Sequence, residues 1–260
     1  MPNTNRDTHR LHATSVGKGH INDVLTAYMD RVSRKYSLLI NVDKTKVMAC
    51  RILIQTELLE QVDTFPYLGS LITEDGECTT EFRTKLNRGQ ATEASLQKIW
   101  KSHNIPISTK IRLMKALVWP VATYGCESWT LRKNEETRQD AFEMRGLRRM
   151  LRVSWTAKKT NNEWVLNKAG VKRELLDTVK ARKLAYYGHT MRKQRSCLEK
   201  EIMQGTMPGA RRRGRPRTAW MDNIKTWTGH SMEESIRMTE DRDKWRKYVH
   251  DVANPRIEDG

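Results

Sequence analysis

Apolar residues change their period once along this chain, near Gly76, and the change separates two kinds of structure. From His20 to Tyr36, the residues Ile21, Val24, Leu25, Tyr28 and Val32 recur at the i, i+3, i+4 spacing that lines one face of a helix. Leu38-Leu39-Ile40 and Val47–Ile54 have the aliphatic and β-branched density of short strands, with a polar turn over Asn41–Lys46 between them. Phe65–Ile72 predicts a third strand, closed by the turn Glu74-Asp75-Gly76. Residues 1–19 show no apolar face and are expected to be disordered.

After Gly76 every predicted element is a helix. Thr79 or Thr80 caps one that runs to about Lys101, mildly interrupted at Gly89. Ser108 caps the next, with Ile111, Met114, Val118 and Val121 as its buried stripe and a kink at Pro120. Helices follow over Asn134–Arg152, Thr160–Lys168 (stopped at Gly170), Lys172–Arg192 and Arg217–Trp227. Ser231-Met232-Glu233-Glu234 is a capping box that opens a last helix to about Val252. The expected fold class is α+β, predominantly α-helical, with a small sheet followed by a long helical tail.

Composition sharpens this reading. Apolar residues make up 37% of the 260, which is thin for a single compact core. Eight Trp and seven Tyr against three Phe favour amphipathic aromatics at seams. Cys50, Cys78, Cys126 and Cys197 stand apart, with no Cys-x-x-Cys pair, and His189 with Cys197 lacks a second pair of ligands. Reduced thiols and no metal site are expected.

Charge changes the picture most. Forty-eight Lys and Arg against thirty-one Asp and Glu leave a net charge of +17. From Lys172 to Arg217 there are fourteen basic and four acidic residues, a net of +10, so more than half the surplus lies in under a fifth of the chain. Its densest part is Ala210-Arg211-Arg212-Arg213-Gly214-Arg215-Pro216-Arg217. Pro216 removes a donor and pushes Arg215 toward extended backbone, while Gly214 removes side-chain bulk. Such a strand lays the guanidiniums of Arg211, Arg212, Arg213, Arg215 and Arg217 along a phosphate track or into a narrow A·T-rich minor groove. A solvated basic loop is the plain alternative. A charged membrane surface attracts the same residues, but no long apolar run, signal peptide or lipidation motif accompanies them. RNA or DNA is the expected partner, with no membrane, and the expected location is nuclear or cytoplasmic.

Ile40-Asn41-Val42-Asp43-Lys44-Thr45-Lys46-Val47-Met48, followed by Phe65-Pro66-Tyr67-Leu68-Gly69-Ser70-Leu71-Ile72, resembles the segment just past the catalytic centre in reverse transcriptases of non-LTR (LINE-type) retrotransposons. The resemblance continues through Leu96–Trp100, Tyr124-Gly125-Cys126-Glu127-Ser128-Trp129, Arg148-Arg149-Met150-Leu151, Gly188-His189, Arg213–Arg217 with Trp220, and Asp241-Arg242 with Trp245-Arg246. It covers roughly residues 20 to 250. Each motif alone is weak, and the ordered set is specific.

The resemblance implies the C-terminal part of an RNA-directed DNA polymerase. It divides the chain into a disordered segment 1–19, a palm remnant 20–76, a helical thumb-like region 77–152, a basic helical extension 153–202, an arginine-rich linker 203–217 and C-terminal helices 218–260. It places Lys44 and Lys46 near the incoming triphosphate, where a lysine offsets charge on phosphate oxygens. It makes Tyr67, Leu68 and Gly69 a turn that grips the primer end. Taken alone, Lys44 and Lys46 fit a solvated β-turn, and Tyr67–Gly69 a strand with a glycine bulge. Trp100, Trp119 and Trp129 could stack bases, and at helical spacing among aliphatics they equally fit a core. Gly188-His189 ends a basic helix, where a histidine complements the helix dipole.

Polymerisation needs at least two carboxylates holding two divalent cations, Mg²⁺ in the intact family. The family's Tyr-x-Asp-Asp hairpin falls, in this register, on Thr4-Asn5-Arg6-Asp7. Asp7 stands at the second aspartate and Arg6 at the first, so a cation occupies the place of a metal ligand. The chain is expected to lack polymerase activity on its own and to carry no cofactor. Three readings stand: part of a reverse transcriptase, a stand-alone nucleic-acid-binding module, and a decayed element with no function.

Overall fold

The computed structural model describes residues 31–32, 34–36, 46–47, 53–54, 57–58, 60–154, 161–193, 198–204 and 218–253. The expected strand Leu38–Ile40, the Asn41–Lys46 turn up to its last residue, and the arginine-rich segment through Arg217 lie outside them, as does all but the last turn of the helix expected over His20–Tyr36. Two compact units are present, Met1–Gly76 and Glu77–Gly260.

The first unit is built from short paired strands. β1 (Lys46–Val47) runs parallel to β4 (Glu60–Gln61), β2 (Leu53–Ile54) pairs antiparallel with β3 (Glu57–Leu58), and β5 (Thr64–Tyr67) pairs antiparallel with β6 (Ser70–Thr73). The expected single strand Phe65–Ile72 is therefore a hairpin, in register Phe65↔Ile72 and Tyr67↔Ser70. It turns because Leu68 and Gly69 both take left-handed backbone, which reverses the chain in two residues. The Glu74–Gly76 turn falls where expected: Gly76 has φ +67° and donates its N–H to the Thr73 carbonyl at 3.0 Å. From Glu60 to Thr80 every residue is exposed or half-buried.

The second unit is helical: α1 (Thr79–Ser95), α2 (Gln97–Lys101), α3 (Ile107–Leu113), α4 (Trp119–Ala122), α5 (Lys133–Leu151), α6 (Asn162–Ala169), α7 (Leu175–Met191), α8 (Leu198–Gln204), α9 (Trp220–Thr228), α10 (Met232–Glu240) and α11 (Arg242–Ala253). The fold is α+β and predominantly helical. Several boundaries differ from expectation, each for a local reason. α1 begins with Cys78 in the cap position, and Thr79 instead donates its hydroxyl to Glu135 at 2.9 Å. The break comes at Leu96. Gly89 lies inside α1, where an added Cβ would stand 2.8 Å from Ala122 Cβ, so the bare position lets α1 and α4 approach.

α3 starts at Ile107 behind Pro106, with Ser108 already inside the helix. A π-turn over Met114–Val118 leads into α4, and Pro120 sits in the first turn of α4. The final helix is two. Ser231 and Glu234 form the expected reciprocal cap of α10. Asp241 then accepts the N–H groups of Asp243 and Lys244 at 3.0 Å and restarts the chain as α11.

Two hydrophobic clusters hold these helices. The first contains Phe82, Trp100, Met114, Val118, Trp129, Phe142 and Leu147. The second contains Leu184, Tyr187, Met191, Ile224, Trp245 and Val249. α7 serves both, giving Leu175 and Val179 to one and Leu184, Tyr187 and Met191 to the other.

Candidate nucleic-acid interface

Of the residues expected to meet nucleic acid, four are described, all in the first unit. Lys46 sits in β1 with its ammonium ion-paired to Glu60, its register partner on β4. Tyr67 ends β5. Leu68 (φ +47°) and Gly69 (φ +81°) form the two-residue hairpin loop. Left-handed backbone is ordinary for glycine and costs a leucine about 1–2 kcal/mol. Leu68 is also 72% exposed, so burial of its side chain does not offset that cost. Asp7, Lys44, Arg211, Arg212, Arg213, Arg215 and Arg217 lie outside the described residues. No three His, Cys, Asp or Glu among the described residues converge as metal ligands.

The tryptophans face inward. Trp100, Trp119 and Trp129 are all buried. Trp100 donates its indole N–H to the Glu93 carbonyl at 2.8 Å, and Trp129 packs edge-on against Phe82 with ring centroids 5.3 Å apart. Base stacking on these three rings is closed off, and they are core.

The remaining motif residues form one junction. Gly125 (φ +74°) opens a 3₁₀ turn over Cys126–Ser128 that carries Trp129 into the core. Burial, with Glu127 beside it, pushes the Cys126 thiol up to about 11, which keeps it unreactive. Lys183 of α7, fully buried, donates to the Trp129 carbonyl and to Asn223 Oδ1, both at 2.7 Å. Its ammonium lies 4.5 Å from the centroid of Trp220 and 5.3 Å from that of Trp227. Asn223 also exchanges two hydrogen bonds with the Leu131 backbone, and Trp220 donates to the Glu127 carbonyl at 2.8 Å. α9, which follows the arginine-rich segment directly in sequence, is thereby bolted to the Tyr124–Trp129 turn. Burial pulls Lys183 down to about 7.

Gly188 and Trp245 explain each other. A Cβ on Gly188 would stand 2.2 Å from the Trp245 indole nitrogen, which donates to the Leu184 carbonyl at 3.0 Å. The bare glycine seats the indole directly on α7. At the other end of α7, buried Glu143 accepts the N–H groups of Glu174 and Leu175, and burial pushes its carboxyl up to about 7.

Sequence reasoning passed over one cluster. Lys101 at the end of α2, His103 in the following loop, and Arg149 and Arg152 at the end of α5 line an open depression of about 570 Å³. Arg149 contacts buried Glu93 at 3.3 Å, and an Arg152 guanidinium nitrogen faces the His103 ring. Arg148, Arg149 and Arg152 were visible as charge at a helix end. Their meeting with residues some fifty positions earlier was not.

No protein-family model and no solved structure matches the chain. The chain is 27% identical over 172 residues to an uncharacterised transposon-derived protein of Caenorhabditis elegans, with 60% of each chain covered. It therefore spans well under two thirds of that relative's length.

Proposed function

We propose that this chain is the C-terminal part of a retrotransposon-derived RNA-directed DNA polymerase, comprising the end of the palm, the thumb and a basic extension, and that it binds nucleic acid without polymerising alone. The observation that carries this is the similarity to a transposon-derived protein over 60% of the chain, joined to the ordered motif set of the reverse-transcriptase resemblance. The left-handed, exposed Leu68 supports a role for the hairpin loop as a contact, because strain of that kind gathers where a surface meets a ligand. The net charge of +17 supplies the attraction to phosphate. Catalysis is withheld because Asp7 beside Arg6 does not make a metal pair.

The second reading, a stand-alone nucleic-acid-binding module, is favoured by the self-contained character of the helical unit, which carries both hydrophobic clusters. Purified chain incubated with primer and RNA or DNA template, with Mg²⁺ or Mn²⁺, is expected to bind in a salt-sensitive way and to extend no primer beyond an Asp7→Ala control. Extension above that control overturns the inactive assignment. Absence of binding at low salt overturns both readings.

A further inference from the structure

Helix ends commonly carry basic residues to meet their last carbonyls. At the junction of α2 and α5 that need is already filled. Buried Lys110 donates to the carbonyls of Trp100 (2.9 Å) and Ser102 (2.7 Å), which finishes α2. The backbone N–H groups of Val153 and Arg152 reach the Arg148 and Arg149 carbonyls at 3.0 and 3.2 Å, which finishes α5. Lys101, His103, Arg149 and Arg152 are therefore surplus to capping, yet two segments about fifty positions apart bring them to one depression.

Their mutual repulsion has little to offset it. The carboxylate of Glu93 touches Arg149 alone among them, and burial holds its carboxyl above the ordinary value. Among the described residues, no carboxylate lines the depression. Burial first, and the neighbouring Arg152 second, hold Lys110 below its ordinary value. A site with planar guanidiniums, an ammonium and an imidazole converging on open space, and no acid of its own, is complete only with an anion in it.

We infer that Lys101, His103, Arg149 and Arg152 form a backbone-phosphate site for a nucleic-acid strand, separate from the arginine-rich segment. The inference rests on the nucleic-acid-binding reading above and adds a fixed contact on the rigid helical unit. A bidentate guanidinium holds a phosphate in one orientation, so this contact sets the strand's position on the helices, while mere charge would attract it without register.

The test is the salt dependence of binding to a DNA duplex and to an RNA–DNA hybrid, using the full chain. Each phosphate contact contributes about 0.9 to the slope of log affinity against log salt on duplex DNA. The double variant Lys101→Gln/Arg152→Gln leaves the Arg149–Glu93 pair intact and should melt like the parent; it is expected to lower the slope by about 2. Arg149→Gln, which leaves Glu93 without its cation, is expected to lower it by about 1, with its helix content checked by circular dichroism. An unchanged slope in the double variant, with parent binding intact, overturns the phosphate site and spares the nucleic-acid reading. No binding by the parent overturns the reading itself.

Discussion

The two units of this chain are held by different means. In the strand unit the residues from Glu60 to Gly76 are exposed or half-buried, joined by the backbone pairing of β5 with β6 and by exposed pairs such as Lys46 with Glu60. In the helical unit two apolar clusters close around hydrogen-bonded polar groups such as Lys183 and Asn223. Hairpins of this kind are marginal in water without a sheet or helix to cover them, whereas the buried knot around Lys183 fixes three segments at once. Among the described residues, both apolar clusters lie from Glu77 onward.

Breaking the knot should have the largest effect. Lys183→Ala removes the donor to the Trp129 carbonyl, empties the space between Trp220 and Trp227, and should cost the helical unit about 3 kcal/mol or more in urea unfolding. Lys183→Met fills the space without a buried charge and should recover most of that loss. Amide exchange in the strand unit should be unchanged by either.

The same comparison has a pH signature. Glu143 in the fold lies above its ordinary value, so its contribution is full below about 4.5 and is lost as pH rises toward about 7. Lys183 lies below its ordinary value, so stability climbs between about 7 and 10.5 as the unfolded chain holds the extra proton. Thermal melts of the helical unit should pass through a minimum near pH 7, the acid arm on the order of 3 kcal/mol and the alkaline arm on the order of 5. A single maximum there would show that one of these groups is not buried as described.

Gly188→Ala forces a methyl onto the Trp245 indole and should destabilise by about 2 kcal/mol, loosening α11 from α7. Trp245→Phe alongside it should soften the penalty. Smallest of all, Leu68→Gly relieves the left-handed backbone and should tighten the hairpin by about 1 kcal/mol, leaving the helical melt unmoved while weakening any contact the leucine makes.

Helical periodicity was legible where a stripe ran unbroken: α5 and α7 fall within a few residues of their expected spans. Interruptions were not, because the breaks at Leu96 and Asp241 carry no proline or glycine, and the π-turn before Pro120 leaves the apolar spacing nearly intact. The hairpin was hidden because Leu68 is not a residue that a left-handed turn selects. Lys183 escaped notice because a lysine on a basic helix looks solvated, and only the packing of Asn223, Trp220 and Trp227 reveals it as core. The basic depression joins residues about fifty positions apart, and no local pattern encodes that meeting.

The central claim is that the chain grips nucleic acid through phosphate contacts, foremost at Arg211, Arg212, Arg213, Arg215 and Arg217. It is tested most directly by measuring affinity for duplex DNA across salt concentrations, for the parent and for a variant with those five arginines changed to alanine. The account predicts tight, salt-sensitive binding by the parent and a slope reduced by roughly three to five in the variant. Identical affinity and slope in the two chains would contradict it.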